Sequence, residues 1–180
     1  DLAFAEHGDG HASIFGTDRR TTASGAALAN ATAAHVFDFD DTCYAGVTHG
    51  TAVIGPAVLA VAEQTEASGE TLLAAFIAGS ECAYVLGKAT GNAPWFNGWW
   101  GTTIYGAIGA AAGCARVLGL NTSQTTNAIA LAAFGAGGNL AGLGTDAKPL
   151  TCGLASAAGV RAALLAAAGA SGPAGIFEDA

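Results

Sequence analysis

Methionine is absent from all 180 residues and cations are scarce: six lysines and arginines stand against fourteen aspartates and glutamates, for a net charge of −8. A surface that binds nucleic acid has to neutralise phosphates with clustered Lys and Arg, and this chain has too few for that. The same shortage argues against an anionic membrane surface. A chain that starts at Asp1 with no methionine anywhere reads as an internal start, a fragment or trimmed form of a longer protein. Cys43, Cys82, Cys114 and Cys152 are far apart with no C-x-x-C pair, which excludes a zinc ribbon or a compact disulfide framework. They are expected to be small buried apolar residues in a reducing cytosol.

Strand patterning is nearly missing as well. The alternation of β-branched and aromatic residues that strands need is confined to a short stretch, Ala12 to Phe15, closed by Gly16. Helical signatures fill the rest: Ala23 to Phe37, Thr51 to Glu66, Thr71 to Thr90 after a Ser68 cap region, Thr102 to Leu118 ending at Gly119, Thr122 to Phe134 after Asn121, and Pro149 to Ala168 ending at Gly169. These helices with short connections predict an all-α, multi-helix bundle, and the length suits one domain or part of a larger one. Glycines at Gly106, Gly109 and Gly113 lie on one helix face, so backbones should approach closely and helices should pack tightly, with self-association between copies also expected.

Low charge raises a membrane reading. No charged residue lies between Ala89 and Ala115, and Trp95, Trp99 and Trp100 imitate an interfacial belt. The apolar character comes from Ala, Gly and Thr, however, which drive insertion poorly. Gly91, Pro94, Asn97 and Gly98 also interrupt the stretch, so a buried helix is the reading adopted.

Against this bland background one segment concentrates chemistry. Phe37-Asp38-Phe39-Asp40-Asp41-Thr42 lies between His35 and Thr48-His49, three carboxylates and two imidazoles in a chain with 11% charged residues. If the first long helix continues through it, His35, Asp38 and Thr42 share a face. A carboxylate desolvated beside others gains a raised pKa suited to general acid or base work. His49 can supply a second proton-transfer group, and the Thr42 and Thr48 hydroxyls can orient a substrate oxygen. The plainer reading is adopted for three of these residues: Asp40 and Asp41 solvated or capping the next helix, His35 a core histidine. Carboxylates and imidazoles also suit a divalent cation, but the DDxxD spacing of all-helical prenyl-diphosphate enzymes is absent. Far downstream, Gly144-Thr145-Asp146-Ala147-Lys148-Pro149-Leu150 places the only lysine after Lys88 beside a proline able to sit in a helix's first turn. A lone cation at such a junction can pair with a substrate carboxylate.

Taken in order, Ala27-Leu-Ala-Asn30 to Ala34-His35, Asp38-Phe-Asp-Asp-Thr42, Thr48-His49, Gly98-Trp99 before a Gly/Ala-rich helix, and Lys148-Pro-Leu150 resemble the MmgE/PrpD family, which includes 2-methylcitrate dehydratase, cis-aconitate decarboxylase and iminodisuccinate epimerase. The resemblance covers nearly the whole chain, residues 1–180, as part of one helical domain that complete members follow with an α/β lid. It implies a cytoplasmic homodimer and a lyase for a small di- or tricarboxylate, most like 2-methylcitrate dehydratase, needing neither metal nor organic cofactor. Decarboxylation or epimerisation of a related acid is the enzymatic alternative, and a catalytically silent helical dimerisation module the alternative of another class. Carried over by motif, Asp38, Thr42 and His49 fall at catalytic positions, and Lys148 and Trp100 at substrate-binding ones. Trp100 stands where the family commonly has a histidine, and Gly50 where a proline usually follows His49.

Overall fold

The computed structural model describes residues 1–44 and 46–178, and they form a helical bundle with a minimal two-stranded sheet. A short helix α1 (Leu2–His7) leads into β1 (Ala12–Ser13) and β2 (Arg20–Thr21), paired antiparallel with Ala12 opposite Thr21. The helices α2 (Ala23–Ala34), α3 (Gly50–Gln64), α4 (Gly69–Thr90), α5 (Ala93–Phe96), α6 (Gly101–Val117), α7 (Thr122–Gly135) and α8 (Ala147–Ala167) follow, with a 3₁₀ turn at Leu140–Gly142. The all-α expectation holds.

Caps explain the boundaries. The Thr22 and Ser68 hydroxyls accept from the amides of Gly25 and Thr71 at the heads of α2 and α4. Asn121 and Gln124 close a reciprocal capping box on α7. At the other end, Gly119 (φ +65°) stops α6 in a conformation that a Cβ would penalise.

The centre is α6, buried along almost its full length and in contact with α3, α4, α7 and α8. Its residues are mostly Ala and Gly, so the core gains little per side chain and relies on close approach of backbones to recover dispersion contacts. A Cβ added at Gly79 on α4 would come 2.6 Å from the Gly109 carbonyl oxygen, and one at Gly113 would come 2.6 Å from Val58 Cγ1. The glycine stripe is therefore spent inside the chain, against α3 and α4, rather than left for another copy. Cys114 and Cys152 are buried as expected, whereas Cys43 and Cys82 are only partly so.

Two sequence expectations need correction. The first long helix stops at Ala34, three residues early, because the His35 amide turns back to the Thr32 carbonyl and Asp38 takes φ +53°. A left-handed residue cannot continue an α-helix, so no shared helical face joins His35, Asp38 and Thr42. The last helix begins at Ala147, not Pro149, which puts both Lys148 and Pro149 inside its first turn. The stretch from Ala89 to Ala115 breaks at Gly91 into the end of α4, the short α5 and the buried α6. By length and composition alone α4 and α8 could each cross a membrane, though more than half of the α8 window is buried in the bundle.

Candidate active site

Three chain ends converge on one cleft: the end of α2, the head of α3 and the head of α8. The turn after α2 carries His35 and Asp38, and the left-handed φ of Asp38 is the step that returns its carboxylate toward His35. Non-glycine residues held in that region mark strain that the surroundings must over-determine, as happens at functional sites. The bridge between Cys43 and Thr48 closes the following loop and delivers His49 as the residue preceding α3. There the His49 amide donates to Thr102 Oγ1 at 3.1 Å, tying the loop to α6.

Lys148 reaches in from the first turn of α8, where a cation opposes the helix dipole. Its Nζ lies 2.7 Å from Asp38 Oδ2. That ammonium, through its hydrogen bond, holds the Asp38 carboxyl below the ordinary carboxylate range even though the side chain is 53% exposed. The Lys148 ammonium also stands 5.7 Å from the Trp100 ring centroid, within cation–π range. The cleft of about 420 Å³ is walled by His35, Val36, Asp38, Lys148, Pro149 and the Gly144–Asp146 loop.

The structure thus brings Asp38 and Lys148 onto the cleft wall despite their separation in sequence. His49 stands one layer back, with Nε2 3.9 Å from Asp38 Oδ1. Its Nδ1 is 3.0 Å from the Asp41 carbonyl, an acceptor, so Nδ1 carries a proton and Nε2 is the atom turned to Asp38. Trp100 is buried (2% exposed) behind the residues that wall the cleft, its ring centroid 5.3 Å from that of His35 and 6.4 Å from that of His49. Thr42 is the outlying member, exposed and in reach of His49 Nδ1 at 3.4 Å. Thr48 is fully buried, and its amide and carbonyl close the bridge to Cys43.

Sequence reasoning missed two residues. Asp41 caps α3 through the Thr51 amide, as anticipated, but Asp40 is neither solvated nor a cap. Its carboxylate lies 2.9 and 3.0 Å from His35 Nδ1. His35 is buried like a core histidine, yet its Nε2 has no hydrogen-bond partner among the described residues and lies 3.6 Å from Asp38 Oδ1. Burial, the largest influence, lowers its pKa against the raising effect of Asp40, favouring the neutral ring. The spacing of five residues gave no hint of this pair, since no regular element brings i and i+5 together.

His35, Asp38, Asp40 and His49 each bring a donor atom within 4.8 Å of the others, a set that could in principle face a divalent cation. The Lys148 ammonium, 2.7 Å from Asp38 Oδ2, already occupies that carboxylate, so a divalent cation would have to compete with it there. The arrangement suits proton transfer next to a bound anion.

Residues 2–180 match the MmgE/PrpD N-terminal domain. Cis-aconitate decarboxylase of Homo sapiens is 34% identical over 162 residues, covering 86% of this chain and 33% of that protein. The Mus musculus cis-aconitate decarboxylase is 33% identical over 162 residues with the same coverage. A cis-aconitate decarboxylase-like protein of Aspergillus oryzae is 30% identical over 141 residues, 74% of this chain and 29% of that one. The chain spans about a third of the length of these curated relatives. A helical bundle whose cleft joins the acidic turn to a helix-head lysine, matched along almost its whole length, places the chain in the MmgE/PrpD family, as its N-terminal domain.

Proposed function

We propose that this domain supplies the substrate-binding and proton-transfer groups of a lyase that acts on a small di- or tricarboxylic acid without a metal or organic cofactor. The observation that carries the reading is Lys148 beside Asp38 in one cleft, a cation for a substrate carboxylate next to a group able to exchange a proton. His49 stands behind Asp38 as a second proton-transfer group, with Thr42 at its edge. The reading includes the cytoplasmic homodimer that the family resemblance implies. Phe37, Phe39 and Tyr44, exposed on the same turn and loop, fit burial against another polypeptide surface.

Within that class, decarboxylation of an unsaturated tricarboxylate is the first reading. Breaking the bond to CO₂ leaves an electron pair on the remaining acid, which a neighbouring carboxylate can delocalise and the Lys148 charge can stabilise. One proton delivered to carbon then completes the step. Dehydration asks for more, a base for the C–H proton and an acid for the departing hydroxyl. Trp100 cannot exchange protons near neutrality, so a site with an indole where the family resemblance implies a histidine has one proton-transfer group fewer. The relatives' names point the same way. Dehydration of a 2-methylcitrate-like acid is the second reading, favoured by the paired imidazoles that Asp38 faces.

The test is to incubate the full-length parent with cis-aconitate, 2-methylcitrate and iminodisuccinate, following CO₂ release, dehydration and epimerisation separately. CO₂ release unaffected by EDTA is the expected result. Loss of turnover on chelation, restored by Mg²⁺ or Zn²⁺, would replace proton transfer with metal chemistry. Failure on every acid would leave a silent helical dimerisation module as the better description.

A further inference from the structure

The unpartnered nitrogen of His35 is the feature that the proposed chemistry leaves unused. Carboxylate oxygens only accept hydrogen bonds, so the approach of both Asp40 oxygens to Nδ1 places the ring proton on Nδ1. Nε2 then carries a bare lone pair. It is fully buried in a residue 1% exposed, with no hydrogen-bond partner among the described residues. Leaving such an acceptor unmet costs about 1–3 kcal/mol, and buried polar atoms are nearly always satisfied. What faces it is Asp38 Oδ1 at 3.6 Å, another bare acceptor while Asp38 is ionised. Two lone pairs held face to face lack only a proton between them.

We propose that His35, with its tautomer fixed by Asp40, is a positioning residue that receives a hydrogen bond from Asp38 whenever that carboxyl holds the proton it exchanges with the ligand. The inference rests on the reading above that Asp38 exchanges a proton with substrate. The step balances in both directions: in dehydration the substrate C–H bond breaks, its electron pair stays on the substrate and the proton joins Asp38 Oδ1, whereas in decarboxylation the Asp38 O–H bond breaks and its proton joins the electron pair that CO₂ left on carbon. In both, the O–H donates to His35 Nε2 while it exists. No charge moves onto the histidine. Lys148 alone would make Asp38 a poor proton acceptor, because its hydrogen bond favours the ionised form. A buried, neutral acceptor on the opposite side stabilises the protonated form instead. The ionisable or charged groups that face His35 are Asp38 and Asp40 on the turn after α2, His49 before α3, and Lys148 in the first turn of α8, with Asp146 on the wall of the same cleft. From α6 it meets the neutral Trp100.

The full-length parent tests this through Asp40→Asn. A carboxamide can turn either its oxygen or its NH₂ to Nδ1, and the NH₂ is favoured because the ring proton then moves to Nε2, where ionised Asp38 accepts it in the resting state, the wrong tautomer for accepting a proton. Turnover should fall about 100-fold or more, the low end of what a positioned acid or base contributes, with KM changed less than about threefold. The limb of kcat that Asp38 sets, acid for proton abstraction and alkaline for proton delivery, should move to lower pH, because a donor on the carboxylate lowers its pKa. His35→Asn should lose turnover similarly, and His35→Gln, whose amide reaches toward the Nε2 position, should recover part of it. Asp40→Asn with wild-type kcat and both limbs unmoved would reduce His35 to a packing residue and overturn the proposal. If the parent turns over none of the acids, the functional reading fails on its own, and nitrogen NMR of the histidine rings still decides this one. A proton on Nδ1 of wild-type His35 that moves to Nε2 in Asp40→Asn supports it, whereas a proton on Nε2 in the wild type, or no change in the variant, overturns it.

Discussion

The acidic turn from His35 to His49 and the glycine face of α6 solve opposite problems. The turn gathers charged and imidazole side chains on irregular backbone, with Asp38 at φ +53° and Phe37 and Phe39 left in solvent. The α6 face discards side chains so that Gly109 can meet Gly79 across the α4 contact, backbone against backbone. One region spends stability on chemistry, and the other gains stability by removing atoms. The lesson is that substitutions in the two should separate activity from folding.

The largest expected effect is on turnover. In the full-length parent, Lys148→Ala and Asp38→Asn should each lower kcat/KM by roughly 10²- to 10⁴-fold, the range for a positioned acid–base or electrostatic group. Thermal melting should change little, because a pair whose carboxylate is half in water contributes at most about 1 kcal/mol. Melting points that drop as far as those of core variants would erase the distinction between the two regions.

Gly109→Val should do the reverse. Even its Cβ would lie 2.5 Å from the Gly79 carbonyl oxygen, so α4 and α6 must separate. A loss of about 3 kcal/mol in urea unfolding is expected, the upper end of ordinary overpacking. A neutral result would mean that the close crossing is not what holds the bundle. Asn121→Ala removes the capping box of α7 without touching either region and should cost about 1 kcal/mol, measured the same way.

The smallest effect is the pH dependence of stability. The folded-state pKa of His35 is lowered from 6.5, so below that value the unfolded chain binds more protons and stability falls with pH. Asp38 is lowered too, so its contribution is present above the unfolded value of 3.8 and fades only as pH drops through and below it. Melting curves between pH 7 and 5 should therefore show a decline that His35→Gln flattens, while the steeper loss near pH 4 persists. A decline untouched by the substitution would mean that other groups carry it.

Much of this was legible beforehand because it is local. Helix caps are written within four residues, as with Asn121 and Gln124, and a glycine at a helix end announces φ above zero, as at Gly119. Asp38, His49 and Lys148 stood out because charge and imidazole are rare in so plain a chain, Thr42 through its place in the acidic segment, and Trp100 through the family resemblance. The end of α2 was not legible: Ala34-His35-Val36-Phe37 has no breaker, and the helix stops only because Asp38 is pulled into a left-handed turn. Nor was the start of α8, where the Thr145 hydroxyl accepts from the Ala147 amide and the helix begins ahead of the proline.

What the sequence determined by itself is the all-helical class, most helix ends and the residue types available for chemistry, since propensity, capping and composition act over one or two turns of chain. What only the tertiary structure decided is who meets whom. Lys148 reaches Asp38 because α8 packs against α2 and its head lies over the turn that follows. His35 turns from a core residue into half of a pair with Asp40 because the chain reverses at Asp38, a rotation about one φ angle that no periodicity encodes. Contacts across a hundred residues and protonation states set by burial are properties of the packed molecule, and no local rule of composition or spacing contains them.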